Sequence, residues 1–369
     1  MHCRTAVLQS PHLVKRMDKL NILSLGAGAI GTYIGGSLAL AGHNVVFLEQ
    51  PSVVDILLTQ GMTLDLGIDP RRKEQTRITL TPPTVQFTAS LAQALSQTRF
   101  DVILFALKSF DTETALRSLT STVSPASLPP VLCLQNGVEN EPVIAAALGP
   151  EKVIYGTVTS AIGRKGPGNI ILEKLRGVGV AEGHSLSQRL TAALDDAYLN
   201  AKLFPVAADM KWSKMLTNLL ANPTSAILDM TPAEVFAHPG LYHLEIEQLR
   251  ECLAVMKAQR INTVDLPGTP VRALAWATKL PLWLSKPLLS RAAGAGRGGK
   301  MPSFYIDLHA GRKQSEVTYL HGAVVRAGEQ VGVPTPVNRL LTETLLALTE
   351  GTIPLEEFAR QPQRLLAKL

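Results

Sequence analysis

The first residues that can do chemistry are Gly26-Ala27-Gly28-Ala29-Ile30-Gly31, a glycine-rich hexapeptide between two apolar runs. It follows Ile22-Leu23-Ser24-Leu25 and opens a helical pattern through Ile34, Leu38 and Leu40; Val45-Val46-Phe47-Leu48 then ends on Glu49. Strand, glycine turn, helix and strand in this order form a cradle for a pyrophosphate. Gly26 permits the tight turn, Gly28 lets the pyrophosphate approach the backbone, and Gly31 lets the helix pack closely on the strand. The unpaired N–H groups and positive end of that helix face the phosphates. Glu49 stands where it can accept hydrogen bonds from the ribose hydroxyls. The hexapeptide and Glu49 together predict a dinucleotide site.

Two further candidates end apolar strands. Residues 100–107 (FDVILFAL) stop abruptly at Lys108, and residues 130–134 lead into Gln135-Asn136-Gly137. Ligands of open α/β sheets lie beyond the carboxyl ends of the strands, so Lys108 and Asn136 read as cofactor or substrate contacts. The competing reading is plain loop chemistry, since Asn-Gly favours turns.

A third constellation is Lys214, Asn218 and Asn222. Steps of four rotate a helix by only ~40°, so one continuous helix puts all three on one face. Met210, Met215, Leu216, Leu219 and Leu220 supply an apolar body around them. Asparagine is a poor choice for a solvated helix face, because its side chain competes for backbone groups. Pro223 breaks or kinks the helix directly afterwards. A lysine with two amides can hold a carbonyl, a hydroxyl and a carboxylate together, the equipment for reducing a keto acid.

The elements that must position these residues follow from composition and pattern. With 369 residues, 46% hydrophobic and 18% charged, the chain is a globular protein of two or three domains. The net charge of +6 is modest, and the basic residues are scattered apart from Arg71-Arg72-Lys73. That excludes a nucleic-acid face and suits anionic metabolites. Cys3, Cys133 and Cys252 have neither metal-like spacing nor a disulfide framework, so no metal is expected and a reducing cytoplasm is. No stretch offers the ~18 uninterrupted apolar residues of a membrane span, and no membrane partner is expected. Residues 1–20 do not have the form of a secretory signal.

Strand patterns recur at residues 76–85, 153–162, 170–173 and 178–181, and a helical pattern at 187–199 closes the first half. From Val206 onward helices dominate: 207–221, 232–236, 241–259, 303–310, 316–331 and 337–348. Thr231-Pro232-Ala233-Glu234 has the form of a capping box. The expected architecture is an α/β N-terminal Rossmann-type dinucleotide-binding domain (20–205), after an N-terminal extension (1–19). An all-α C-terminal domain (206–369) follows for substrate binding and dimerisation. Residues 241–256 and 337–348 show more apolar face than one small bundle needs, which predicts a homodimer. The segment 266–300 is irregular. Its glycine-basic patch, 294–300, reads as a loop, and its apolar part with Trp276 and Trp283 reads as ordinary helix packing with breaks.

These residues carry a family resemblance. From Asn21 to about Ala327 the sequence resembles the ketopantoate reductase (2-dehydropantoate 2-reductase) family. The resemblance rests on GAGAIG from Gly26, FALKS around Lys108, LQNGVEN around Asn136, KWSKMLTNLLANP around Lys214 and PSFYIDLHAGRKQSEV from Pro302. It implies a Rossmann domain, a helical domain and an active site in the cleft between them, where NAD(P)H reduces 2-dehydropantoate to pantoate. It further implies that Lys214 is the general acid, that Asn218, Asn222 and Ser303 bind substrate, and that Asn136 lies near both ligands. By the same resemblance Lys108 is on the cofactor side, and Glu316 is the acidic residue that completes the site.

Two positions depart from the family pattern. The run Gly311-Arg312-Lys313-Gln314-Ser315-Glu316 is one residue longer than usual, and Gln50 stands where NADPH-using members usually carry arginine. NADPH follows from the family, whereas the Glu49 carboxylate would repel a 2′-phosphate and favours NADH. Two alternatives stay open: a related reductase acting on another small 2-oxo acid, and an NAD(P)-sensing Rossmann protein without turnover.

Overall fold

The computed structural model describes residues 18–73, 76–287, 289 and 300–369. The expected extension up to residue 17, and the glycine-basic patch except Lys300, lie outside the described residues.

The strands are β1 (Asn21–Leu25), β2 (Asn44–Leu48), β3 (Met62–Asp65), β4 (Arg77–Leu80), β5 (Gln86–Thr88) and β6 (Val102–Phe105). They continue with β7 (Val131–Cys133), β8 (Val153–Val158), β9 (Ala161–Gly166), β10 (Asn169–Lys174), β11 (Val178–Ala181) and β12 (Ala201–Phe204). The main sheet has the order β12-β11-β8-β7-β6-β1-β2-β5. Its strands run parallel from β5 to β8, and β11 then pairs antiparallel with β8. A second sheet, β4-β3-β10-β9, lies apart from it in the pairing.

All four residues of β6 are buried, as in a strand covered on both faces. One apolar cluster gathers Ile22, Ile34, Phe47 and Leu104, and another gathers Leu23, Ile103, Phe105 and Ile144. Successive residues of β1 thus feed opposite clusters, as strand alternation requires. The chain leaves β1 for β2 on one side and returns to β6 on the other. This makes the β1/β6 carboxyl edge the switch point where an open sheet binds its ligand.

Beyond β12 every regular element among the described residues is helical, and these helices share a third apolar core. The Thr231 capping box forms as its sequence requires, with Glu234 accepting from the Thr231 N–H at 2.7 Å. Three expectations need correction. The helix expected over 207–221 ends at Leu219. Ala221 takes a left-handed φ of 54°, and a new helix, Asn222–Leu228, begins behind it. Pro223 causes this, because it has no N–H to continue the ladder and its ring would meet the carbonyl four residues earlier. The buried Glu245 carboxylate takes up the break, accepting from the Ala221 N–H at 2.6 Å and the Thr224 hydroxyl at 2.5 Å. Asn222 therefore starts its own helix and does not share one with Lys214 and Asn218.

The second correction concerns Trp276 and Trp283, which are 58% and 77% exposed and so are not ordinary helix packing. The third concerns the apolar faces that suggested a homodimer. Leu241, Leu244, Ile246, Leu249, Leu341 and Leu345 are buried within the chain's own core.

Candidate active site

The glycine turn forms as its residue types require. Gly26 adopts φ 92°, a conformation that side chains disfavour. A Cβ on Gly31 would fall 2.2 Å from the Gly26 carbonyl oxygen, so only glycine lets the helix start this close to β1. The Ser24 hydroxyl donates to the Gly26 carbonyl at 3.2 Å and the Thr32 hydroxyl to the Ala27 carbonyl at 3.0 Å, fixing the loop. A Cβ on Gly28, by contrast, would meet nothing within 4 Å. Gly28, Ala29 and Ile30 are partly exposed at the helix start, where the first N–H groups have no intrahelical partner. Open space above unpaired donors is what a pyrophosphate requires.

Glu49, at the end of β2, turns its carboxylate onto this loop. Its Oε1 accepts from the Ala27 N–H at 2.5 Å and its Oε2 from the Gln50 N–H at 3.2 Å. The negative charge of Glu49 thus borders the cradle, while Gln50 is exposed.

Lys108, just beyond β6, reaches across to the helical half. Its ammonium donates to Glu316 Oε2 at 2.7 Å and to Asp307 Oδ2 at 3.0 Å. Burial alone would lower the lysine's pKa, but the two carboxylates outweigh it and hold it above the ordinary lysine value. Glu316 also accepts weakly from the Ser109 N–H at 3.4 Å. Asp307 pairs on its other side with Arg312 at 3.0 Å.

Asn136, just beyond β7, accepts from the Asn218 side-chain amide at 3.1 Å, a second link between the halves. Asn222 is held on both sides. Its amide donates to the Asn218 carbonyl at 3.3 Å, and its oxygen accepts from the Phe304 N–H at 3.3 Å. The break before Asn222 therefore docks the start of the Ser303–His309 helix onto the end of the Ala207–Leu219 helix.

A cavity of about 370 Å³ opens between the halves, lined by Asn136, Asn218, Asn222, Ser303 and Glu316. Leu320, Pro302, Met301 and Ala161 provide its apolar wall, and Glu173, Lys174 and Lys300 its charged end. Lys214 is not among its lining residues. It is half-buried one turn before Asn218 on the same helix, and its carbonyl accepts from the Thr217 hydroxyl at 2.8 Å.

Several residues of the site escaped the sequence reading. Asp307, the Glu173–Lys300 ion pair and Ser109 have partners far away in the chain, and nothing local marks them. Lys211 is the most instructive of these. It precedes Lys214 by three residues yet is buried, ion-paired with Glu141 at 2.6 Å and donating to the Gln135 carbonyl at 2.8 Å. Burial would depress its pKa, but Glu141 outweighs that and keeps the ammonium above its usual value. It anchors the backbone immediately before Asn136. The signal available was the lysine's position between Met210 and Trp212 on the apolar face.

Comparison with known proteins now adds to this geometry. Residues 22–182 match the family description "Ketopantoate reductase PanE/ApbA", and residues 207–349 match "Ketopantoate reductase PanE/ApbA C terminal". The chain belongs to the ketopantoate reductase family. Its relatives include a 2-dehydropantoate 2-reductase of Archaeoglobus fulgidus, 25% identical over 91% of this chain and 98% of that protein. One from Streptococcus pyogenes serotype M3 is 24% identical over 87% and 95%. Among solved structures, a PanE/ApbA family ketopantoate reductase from Ralstonia eutropha JMP134 superposes with a TM-score of 0.73. It is 24% identical and covers 89% of this chain and 99% of its own. D-mandelate dehydrogenase with NADH and anilino(oxo)acetate superposes at 0.69, with 21% identity over 89% and 99%. These two share the fold: a parallel-rich Rossmann-type sheet followed by a helical half, as in the ketopantoate reductase architecture.

Proposed function

We propose that this protein reduces 2-dehydropantoate to pantoate with a nicotinamide dinucleotide bound on the Gly26–Gly31 loop. The observation that carries the reading is the cleft itself. Asn136 from the sheet and Asn218, Asn222, Ser303 and Glu316 from the helical half line one cavity beside the glycine loop's sheet edge. The open space above Gly28 and the unpaired donors of Ala29, Ile30 and Gly31 suit a pyrophosphate. The reduced nicotinamide supplies the hydride.

The chain's own residues do the rest. As the ketone carbon is reduced its oxygen gains negative charge, and Lys214, one turn before the cavity-lining Asn218 on the same helix, donates the proton that neutralises it, its side chain swinging toward the cleft when substrate is bound. Asn218 and Ser303 hold the hydroxyl and carboxylate groups. Asn222, engaged on both sides, keeps Asn218 and the Ser303 helix start in register. Asn136 holds the boundary between cofactor and substrate, while Glu316 fixes Lys108 at the cofactor side. Leu320 and Pro302 give the substrate's methyl groups an apolar wall. Because Glu49 borders the cradle, NADH is the preferred coenzyme in this reading, against the NADPH usage expected from the family. The buried, unpaired Cys133 and Cys252 support a reducing cytoplasmic setting. A homodimer has less support, since the faces that suggested it are used inside the chain.

A second reading, reduction of a different 2-oxo acid, is favoured by one feature: the charged end of the cavity at Glu173, Lys174 and Lys300. NADH and NADPH consumption across a panel of 2-oxo acids separates the two. The highest kcat/KM with 2-dehydropantoate supports the proposal, and a clear preference for a dicarboxylic or aromatic 2-oxo acid overturns it.

A further inference from the structure

We propose that a surface of the helical half, built from residues that do not line the cleft, docks on an anionic lipid bilayer. Two of the three tryptophans are exposed in this part of the chain, Trp276 at 58% and Trp283 at 77%, and Leu284, next to Trp283 in sequence, is 40% exposed. The third, Trp212, is buried. A cavity of about 550 Å³ adjoins this segment, lined by Lys257, Arg260 and Lys279 over an apolar floor of Leu253, Met256 and Ile261. No acidic side chain is among its described lining residues, and the three cations form no ion pair with another described residue. Lys279 joins the two features. It lines the cavity and falls between Trp276 and Trp283 in the chain. From Leu266 to Pro287 the sequence has three basic residues and no acidic one; Arg272 pairs with Asp265 just before this stretch, which leaves Lys279 and Lys286 without an acidic partner among the described residues.

Exposed indoles beside unneutralised lysine and arginine are the equipment of an interfacial surface. The rings settle at headgroup depth and the cations attract anionic lipid. A second copy of the chain is the poorer occupant. A two-fold contact sets the same patch against itself, so Lys257, Arg260 and Lys279 would face their own like charges. An acidic protein satisfies the charges but must also supply a pocket for each indole, whereas a bilayer receives them without one. None of these residues lines the active-site cavity, so docking leaves the cleft open.

The test uses the full chain with vesicles of phosphatidylcholine alone and of phosphatidylcholine mixed with phosphatidylglycerol, read by sedimentation and indole emission. The protein is expected to partition onto the anionic vesicles only, with a blue shift, and to be released by salt. Lys257→Gln/Lys279→Gln should lower partitioning by about 25-fold, about fivefold for each cation removed. Trp276→Ser/Trp283→Ser, read by sedimentation, should lower partitioning onto the anionic vesicles. Both variants should keep wild-type NAD(P)H turnover on the soluble substrate, showing that they fold. Four results would overturn the proposal: no partitioning onto anionic vesicles, equal partitioning onto neutral ones, partitioning unmoved by either variant, or a dimeric mass that the tryptophan variant halves.

Discussion

Coenzyme choice should turn on Glu49, and the structure allows the effect to be sized. Its carboxylate lies against the glycine loop, 2.5 Å from the Ala27 amide nitrogen. A 2′-phosphate of charge about −2 held about 5 Å away meets a repulsion of about 1.7 kcal/mol even at the dielectric of water. That is between fifteen- and twentyfold in binding, roughly, and more in a less polar medium. Two substitutions separate charge from hydrogen bonding. Glu49→Gln removes the charge but leaves an oxygen that can accept from the Ala27 N–H. Glu49→Ala removes both and leaves a partly buried donor unpaired, a cost of about 1–3 kcal/mol. The ratio of kcat/KM for NADPH to that for NADH should rise about tenfold or more in both variants. Only Glu49→Ala should also lose thermal stability. If the wild type strongly prefers NADPH and neither substitution moves the ratio, Glu49 is not at the ribose and the reasoning fails.

Three other outcomes are expected. His321 is fully buried, bonded through Nε2 to Gln248 at 2.9 Å, and burial lowers its pKa to about 3. A depressed histidine pKa leaves stability intact above the unfolded value of about 6.5 and erodes it as pH falls toward about 3, by up to about 1.4 kcal/mol per pH unit. Urea midpoints measured across that range should fall more steeply for wild type than for His321→Gln, and parallel curves would contradict this. Lys211→Met strands the buried Glu141 charge and should cost about 3–5 kcal/mol in urea unfolding, with Lys211→Met/Glu141→Gln recovering most of it. An equal loss in single and double variants would argue against the pair. Asn218→Ala should raise the substrate KM with little change in melting temperature. Asn222→Ala, which also unties the Phe304 N–H, should raise KM and lose about 1–3 kcal/mol of stability. Identical melting temperatures for the two would deny Asn222 its structural part.

The glycine turn and the ends of the central strands were legible because their signals are local. Gly26 and Gly31 each answer a backbone requirement within a few residues, Gly28 leaves open space at the helix start, and the burial of β6 shows directly as an unbroken apolar run. The helical half was legible as helices and less so as geometry. Periodicity could not tell a continuous helix from one broken at Ala221, because Glu245 takes the freed N–H from 24 residues away. Short strands such as β3 and β12 were missed. Each has four residues in mixed polar and apolar order (MTLD and AKLF), without the unbroken apolar run that marks β6 and β11. The Lys108–Glu316–Asp307 cluster joins residues about two hundred positions apart, and only tertiary packing brings them together. Lys211 and Lys214 look alike in sequence, and only burial separates the anchor from the proposed acid.

The central claim is that Lys214 delivers the proton to the reduced ketone, and steady-state turnover of Lys214→Ala tests it most directly. With 2-dehydropantoate and the preferred coenzyme, kcat should fall by roughly 10²–10⁴-fold, the usual contribution of a general acid. Affinity for the dinucleotide, titrated separately, should remain at the wild-type value. Near-normal turnover in Lys214→Ala would contradict the account and assign the proton to water or to a side chain that lines the cleft.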